Sequence, residues 1–335
     1  MKINTVSLFS GLGGMDLGIM GGFSYLGKKY SESIFDVQFS MDFHKPTCEI
    51  FNQNFKHECH HLDITTLDES EVPRHDLLLG GFPCQSFSIS AQNPPRLGYK
   101  DDRGKLFFDM CRILKYHKPR VFVAENVKGI LSANKKKAFP LIINEFEKVG
   151  YHVKYKVLNA VDFGVPQKRE RVFIIGFREI NDFNMFDFPK AVSEERHVPL
   201  IKVLEDECHI DEKYYFSEKA VNGLKATKHY KSMNKGRAQN IFGPSNTVSA
   251  HLAKVSLNST DPVLCIDNKY RMYTPREVAR IQSFPEEFKL TGSKTLNYKA
   301  LGNAVAPVLM WYLGKEIEKV FQCAEKINEV KVSSK

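Results

Sequence analysis

Short apolar runs alternate with amphipathic stretches over the first 180 residues of this chain, and the alternation predicts its elements. Ile3–Gly18, INTVSLFSGLGGMDLG, reads as a strand, a glycine turn and the start of a helix. Phe35–Met41 and Asp76–Leu79 (DLLL) read as strands, the second an apolar run between polar residues and therefore buried. Lys105–His117 predicts a helix, Arg120–Glu125 a strand, Phe139–Val149 a helix, Val153–Leu158 a strand, and Gly164–Phe177 a β-branched strand behind a basic cluster. Strand–helix alternation of this kind predicts an open α/β sheet. It stops at Arg178. Further on, Thr274 as N-cap and Pro275 at the first helical position predict a short helix within Tyr273–Phe288. Val305, Leu309, Leu313, Ile317 and Phe321 recur every four residues and make the core stripe of a final helix. Residues 331–335 read as a disordered tail.

Composition adds a partner class. With 335 residues, 42% hydrophobic and 26% charged, the chain is ordinary for a globular protein, but 48 Lys and Arg face 39 acids, a net +9. The excess is local: residues 178–212 hold four basic and ten acidic side chains, whereas 213–255 hold eight and one, interleaved with Tyr214, Tyr215, Phe216, His229, Tyr230 and Phe242. Such a segment fits loops that meet nucleic-acid phosphates and base edges. Lys235 and Arg237 are its candidate contacts, and a solvated face is the alternative for any one lysine. Seven cysteines, an odd number spread from Cys48 to Cys323, do not form a disulfide framework. The start of the chain reads as a strand rather than a signal peptide, and no apolar run reaches the length of a membrane span, so a cytoplasmic location without membrane contact is expected.

The candidate chemistry falls at strand ends. Gly80–Gln92, GGFPCQSFSISAQ, presents Cys84 just past the DLLL strand, with Gly80 and Gly81 permitting a sharp turn and Pro83 fixing the approach. Gln85, Ser86, Ser88 and Ser90 supply polar groups around a thiol that could act as a nucleophile, against the bland reading of a small buried hydrophobe. Gly11, Gly13 and Gly14 allow close backbone approach to a nucleotide or nucleoside, although tight turns use glycine for steric reasons alone. Asp42 and Phe43, at the tip of the second strand, suit a ribose and a purine. Asp63 and Ile64 could touch the base edge, or Asp63 could serve as a cap or turn residue. Glu125 and Asn126 again lie at a carboxyl end. Lys168, Arg169 and Arg171 are either a solvated strand entrance or arginines delivered to a phosphate or base. The polar stretch that runs to Gly104 reads as a mobile loop over substrate. The cluster His57, Cys59, His60 and His61 reads as a polar loop, with metal a distant second, and no metal is expected.

Together the blocks SLFSGLGGMDLG, MDFHKPTCEIFNQNF, LDI, GGFPCQSFS, DDRGKLFFD, ENVKGI, PQKRERVFIIGF, TPREVARIQSFP and GNAVAP resemble, in family order, the C5-cytosine DNA methyltransferases of bacterial restriction–modification systems. They extend from residue 6 to about residue 310; Ser7, where many members carry an acid, and the polar insertion Ser24–Ser33 depart from the pattern. The resemblance implies a doubly wound, Rossmann-like S-adenosylmethionine-dependent methyltransferase sheet from residues 1–180 and 293–335. It also implies a smaller, mostly irregular target-recognition domain over 181–292. It implies methyl transfer from S-adenosylmethionine, yielding S-adenosylhomocysteine, to C5 of a cytosine flipped out of double-stranded DNA. Cys84 would attack C6, Glu125 would meet N3, and Arg169 with Arg171 would contact the cytosine carbonyl and a phosphate. Phe9, Ser10, Gly11, Leu12, Gly13, Gly14, Asp42, Phe43, Asp63, Ile64, Pro83, Leu106, Asn303 and Ala304 match the cofactor pocket. Gln85, Ser88, Asn126 and Gln167 fall on the DNA side. A monomer is expected, genetically linked to a cognate endonuclease without a stable complex. The rivals are a transfer-RNA enzyme of the same fold, whose Cys-Phe-Thr tripeptide is absent, a catalytically silent DNA-binding module, and a nicotinamide oxidoreductase suggested by the glycine turn alone.

Overall fold

The computed structural model of the protein describes residues 2–83, 102–192, 197–226, 238–254 and 261–333. Its centre is a seven-stranded sheet in the order β5-β4-β1-β6-β7-β10-β8. The strands are β1 (Ile3–Leu8), β4 (Phe35–Asp42), β5 (Cys59–His61), β6 (Leu77–Gly80), β7 (Val121–Val127), β8 (His152–Asn159) and β10 (Glu170–Phe177). From β5 to β7 every pair is parallel, and β10 runs antiparallel to both β7 and β8. Leu77, Leu78 and Leu79, Val121 to Ala124, and Val172 to Ile175 are buried. Burial on both faces explains why these strands read as unbroken apolar runs.

Two apolar layers cover the sheet. One face carries α1 (Gly14–Met20) and the C-terminal helix (Pro307–Ser333), whose stripe Leu309, Leu313, Ile317 and Phe321 lies in the core as its four-residue spacing predicts, while Val305, also buried there, falls just before the helix begins. The helix continues to Ser333, so residues 331–333, expected to be disordered, extend its last turn. The opposite face carries α3 (Asp102–His117) and α4 (Ala138–Lys148). Asp102 to Gly104, read from sequence as part of the loop, already belong to α3.

Two short segments take a form the sequence reading did not anticipate. The polar insertion Ser24–Ser33 contains a hairpin, β2 (Phe23–Tyr25) and β3 (Lys28–Tyr30), turned at Leu26 and Gly27, both with positive φ. Its register puts Phe23 opposite Tyr30, and their rings stack at 5.0 Å while the Tyr30 ring meets Trp311 edge-on. The cluster read as a polar loop is the edge strand β5 with its flank: Cys59 is buried against Cys48, His60 stacks on Phe39, and His57 bonds Ser40. Its side chains thus point to different partners, and they do not form one ligand set.

A third apolar cluster lies beyond the sheet. It joins Leu200, Val203, Val248, Leu252 and Leu264 to Tyr273, Val278, Phe284 and Phe288, and reaches Leu12, Ile50, Tyr298 and Leu301. The predicted helix spans Pro275–Ile281: Thr274 Oγ1 accepts from Glu277 N while the Glu277 carboxylate accepts from Thr274 N, a complete capping box. Regular pairing is sparse here. Strands β12 (Leu264–Ile266) and β13 (Lys269–Arg271) form a hairpin, and β11 (Ser245–Asn246) adds two residues beside β9 (Gln167–Lys168).

Candidate active site

Strand order reverses on either side of β1, so the crevice between the carboxyl ends of β1 and β6 is the expected ligand edge. The antiparallel β10 brings its first residues to that same edge, and Arg171 is the register partner of Val127. Glu125 is buried on β7 and its Oε1 receives Arg171 Nε at 3.0 Å. Burial pushes the Glu125 carboxyl above its ordinary pKa, with Arg171 and then Arg169 opposing the rise. A carboxyl so placed holds its proton more readily than a solvated one.

The start of the cysteine loop is tied to the residue after this carboxyl. Asn126 Nδ2 donates to Phe82 O at 3.0 Å, and its Oδ1 accepts from Val127 N at 2.9 Å. A Cβ built on Gly81 would lie 3.6 Å from Glu125 Oε2, so the Gly81 backbone passes over the carboxylate three residues before Cys84. Asn126, expected on the DNA side, instead spends both amide groups on holding the strand end. Cys84, Gln85, Ser88, Lys235 and Arg237 lie outside the described residues.

At the neighbouring crevice the glycines divide by function. A Cβ on Gly14 would fall 2.1 Å from Val305 O, and one on Gly13 2.5 Å from the Phe55 ring, so these two are required by packing. Gly11 is different. Its φ is +55°, nothing lies within 4 Å of its would-be Cβ, and its N–H donates to Asp42 Oδ2 at 3.0 Å. Asp42 Oδ1 accepts from His44 N at 2.8 Å, so the carboxylate is aimed by two backbone donors at the mouth of the turn. Beside it the Phe43 ring is 70% exposed. An aromatic face left open next to an oriented carboxylate and a bare backbone fits a nucleoside. Phe9 and Ser10 line the same turn, Phe9 with a positive φ of 56° and Ser10 donating its hydroxyl to Ser7 O. Pro83 and Leu106 are half-buried, and Asn303 is exposed beside the buried Ala304.

Other expected pocket residues serve the frame. Leu12 and Ile64 are buried in apolar clusters. Asp63 Oδ1 accepts from Thr65 N and Oγ1, the turn role that sequence had left open. Gln167, expected to touch DNA, is fully buried: its Nε2 donates to Gln282 Oε1 at 2.9 Å and its Oε1 accepts from Val248 N at 2.8 Å. That amide has nothing left for a groove. Arg169 is likewise buried, its guanidinium on the carbonyls of Val248, Gly302 and Ala304, while Arg171 alone of the pair reaches Glu125.

Comparison with known proteins then decides the family. The C-5 cytosine-specific DNA methylase model matches residues 3–319. The chain belongs to that family. It is a methyltransferase. Among its relatives, the type II methyltransferase M1.ScrFI of Lactococcus lactis subsp. cremoris is 36% identical over 97% of this chain and 80% of its own length. The type II methyltransferase M.FnuDI of Fusobacterium nucleatum is 34% identical over 97% and 96%. Solved structures share the fold at lower identity: the Entamoeba histolytica methyltransferase EhMeth has a TM-score of 0.75 at 19% identity, covering 95% of this chain and 98% of that one. The S. pombe Dnmt2 methyltransferase gives 0.70 at 19%, over 97% and 99%.

Within this family fold, sequence reasoning missed one polar group. Asp16 is fully buried on α1 and accepts from Ser7 Oγ at 3.0 Å and Ser40 Oγ at 2.6 Å, with His57 Nε2 at 3.8 Å. Ser7 therefore donates to a carboxylate supplied from elsewhere in the chain. Ser7 and Asp16 share the first glycine-rich block, but Ser40, 24 residues from Asp16, and His57 come from outside it, so the block alone does not show that the carboxylate is buried and bonded.

Proposed function

We propose that the protein transfers a methyl group from S-adenosylmethionine to C5 of a cytosine in a short specific sequence of double-stranded DNA. The reading includes protection of host DNA beside a cognate endonuclease. S-Adenosylmethionine would supply an electrophilic methyl on its sulfonium. Gly11 would meet it with bare backbone, Asp42 with a carboxylate for its ribose, and Phe43 with a ring for its adenine. Residues 181–292 would recognise DNA, and residues 1–180 with 293–335 would hold the chemistry.

The target base would leave the stack to reach Glu125. Cys84 would bond C6 through its thiolate, and Glu125, its proton retained by burial, would bond N3 and stabilise the charge that enters the ring. Arg171, holding Glu125 Oε1, would orient the carboxyl and reach the base carbonyl. Once the methyl is on C5 and S-adenosylhomocysteine is left behind, the C5 proton would pass to a base and the Cys84–C6 bond would break to expel the thiolate, giving 5-methylcytosine. The observation that supports this most is the Glu125–Arg171 pair lying directly beneath Gly81, where the Pro-Cys loop begins.

The test is transfer of a labelled methyl group to duplex DNA and, separately, to transfer RNA, with digestion to nucleosides. Label in 5-methylcytosine from DNA alone is expected; label from transfer RNA alone favours the rival enzyme. A Cys84→Ser protein as fast as the parent would remove the assigned nucleophile. DNA affinity should fall steeply with salt, each phosphate contact carried by the basic segment adding about one unit to the slope.

A further inference from the structure

Arg169 is the least expected group near the site. Its backbone is fixed on both sides, N–H donating to Asn159 Oδ1 at 2.9 Å and carbonyl accepting from Ala160 N at 3.0 Å. Its guanidinium, on a residue only 2% exposed, makes three bonds: Nη1 to Val248 O at 3.2 Å, and Nη2 to Gly302 O and Ala304 O, each at 2.9 Å. Among the described residues Nε has no partner, and no carboxylate lies within ion-pair distance. Burying a cation against carbonyls alone is costly, and an apolar side chain of similar volume would fill the same space without that cost. Packing does not account for an arginine here.

The three carbonyls belong to two different places. Gly302 and Ala304 flank Asn303, the exposed residue at the wall of the proposed cofactor crevice. Val248 follows β11, whose register on β9 pairs Ser245 with Gln167 and Asn246 with Lys168. The two places also touch directly, since a Cβ on Gly302 would fall 2.3 Å from Ala250 N. On the side of the basic segment, Thr247 Oγ1 donates to Lys168 O at 2.6 Å and Val248 N donates to Gln167 Oε1. Any shift of 245–250 therefore changes the distance from Arg169 to Val248 O, and the same guanidinium holds the backbone on either side of Asn303.

We propose that Arg169 is a positioning residue that couples the DNA side of the enzyme to its cofactor crevice, so that occupation of one site changes affinity at the other through this guanidinium. The inference rests on the function proposed above. By linkage the coupling must be reciprocal, and a typical size is about tenfold in affinity.

The experiment titrates S-adenosylhomocysteine into the full-length protein with and without sheared, unmethylated genomic DNA, then repeats the cycle with Arg169→Lys, which keeps the charge but cannot bridge three carbonyls. A parent ratio near tenfold that falls to within about twofold of unity in the variant supports the proposal. A merely structural role would weaken each affinity yet leave their ratio intact, and that result overturns it. Should Arg169→Lys not fold, Thr247→Val decides from the exposed side of the seam: a reduced ratio supports coupling, an unchanged one refutes it. A parent that binds both partners with no mutual effect refutes this inference alone. A parent that binds neither refutes the functional reading and this inference with it.

Discussion

The sheet and the region from residue 197 to Phe288 are held together by different means. In the sheet, most side chains of β6, β7 and β10 are buried and apolar, and order comes from continuous ladders, parallel from β5 to β7 and antiparallel at β10. In the second region described strands are two or three residues long, and buried charge replaces the ladders. Arg271, fully buried, donates to both carboxylate oxygens of Glu277 at 2.8 Å and through Nε and Nη2 to Glu207 Oε1. Tyr215 OH donates to Glu207 and Thr274 Oγ1 to Glu205. Burial alone would lower the Arg271 pKa, but bonds to Glu277 and Glu207 outweigh it and the net direction is up. The lesson is that one region is specified by where apolar residues fall, and the other by which few polar groups find each other.

The sharpest way to break that contrast is Arg271→Met. It strands Glu277, a fully buried carboxylate, and is expected to cost about 3–5 kcal/mol in denaturant unfolding. The double variant Arg271→Met with Glu277→Leu should recover most of the loss; a single variant costing under about 1 kcal/mol would dissolve the distinction. In the sheet, Leu78→Ala should cost about 2–5 kcal/mol through transfer and cavity terms, with no partner substitution able to restore it.

Ser7→Asp would set a second carboxylate against buried Asp16, and a loss of about 1–3 kcal/mol is expected near neutral pH. Protonating one member relieves the repulsion, so the deficit should shrink on acidification. Equal deficits at both pH values would argue against the placement. Thr274→Ala removes the side-chain half of the capping box and should cost about 1 kcal/mol, read as a small fall in thermal midpoint.

The smallest effect is a slope. Glu125 holds its proton to higher pH folded than unfolded, so the folded state binds more protons as pH rises above the ordinary carboxylate range. Its contribution is present below the unfolded pKa and is lost as pH rises through the folded one. Glu125→Gln should flatten that decline, and an unchanged profile would mean that its carboxyl is not perturbed.

What the sequence made legible follows the same division. Apolar runs marked β6, β7 and β10, because burial on both faces leaves little polar alternation to confuse them, whereas β1, β4 and the edge strand β8 interleave polar residues with their apolar ones. Glu125, Asn126 and Asp42 were singled out because ligands in such sheets gather at carboxyl ends, and all three do lie at the ends of β7 and β4. The hairpin β2–β3 escaped notice because its two buried tyrosines lie in an otherwise polar stretch. The burial of Gln167 and Arg169 and their bonds to distant segments went unseen for a related reason. A basic or amide side chain near a strand end reads as free for ligand, and only the position of Val248 and Gly302, 79 and 133 residues away, shows it to be engaged.

The proposed reaction requires a covalent bond between Cys84 and C6 of a cytosine. Incubation with S-adenosylmethionine and duplex DNA carrying 5-fluorocytosine at the target, followed by denaturation and peptide mass spectrometry, tests it directly, because fluorine at C5 blocks the final elimination. A denaturation-stable adduct mapped to Cys84, absent in Cys84→Ser, is predicted. Methyl transfer to ordinary DNA without any trapped adduct, or an adduct at another residue, would contradict it.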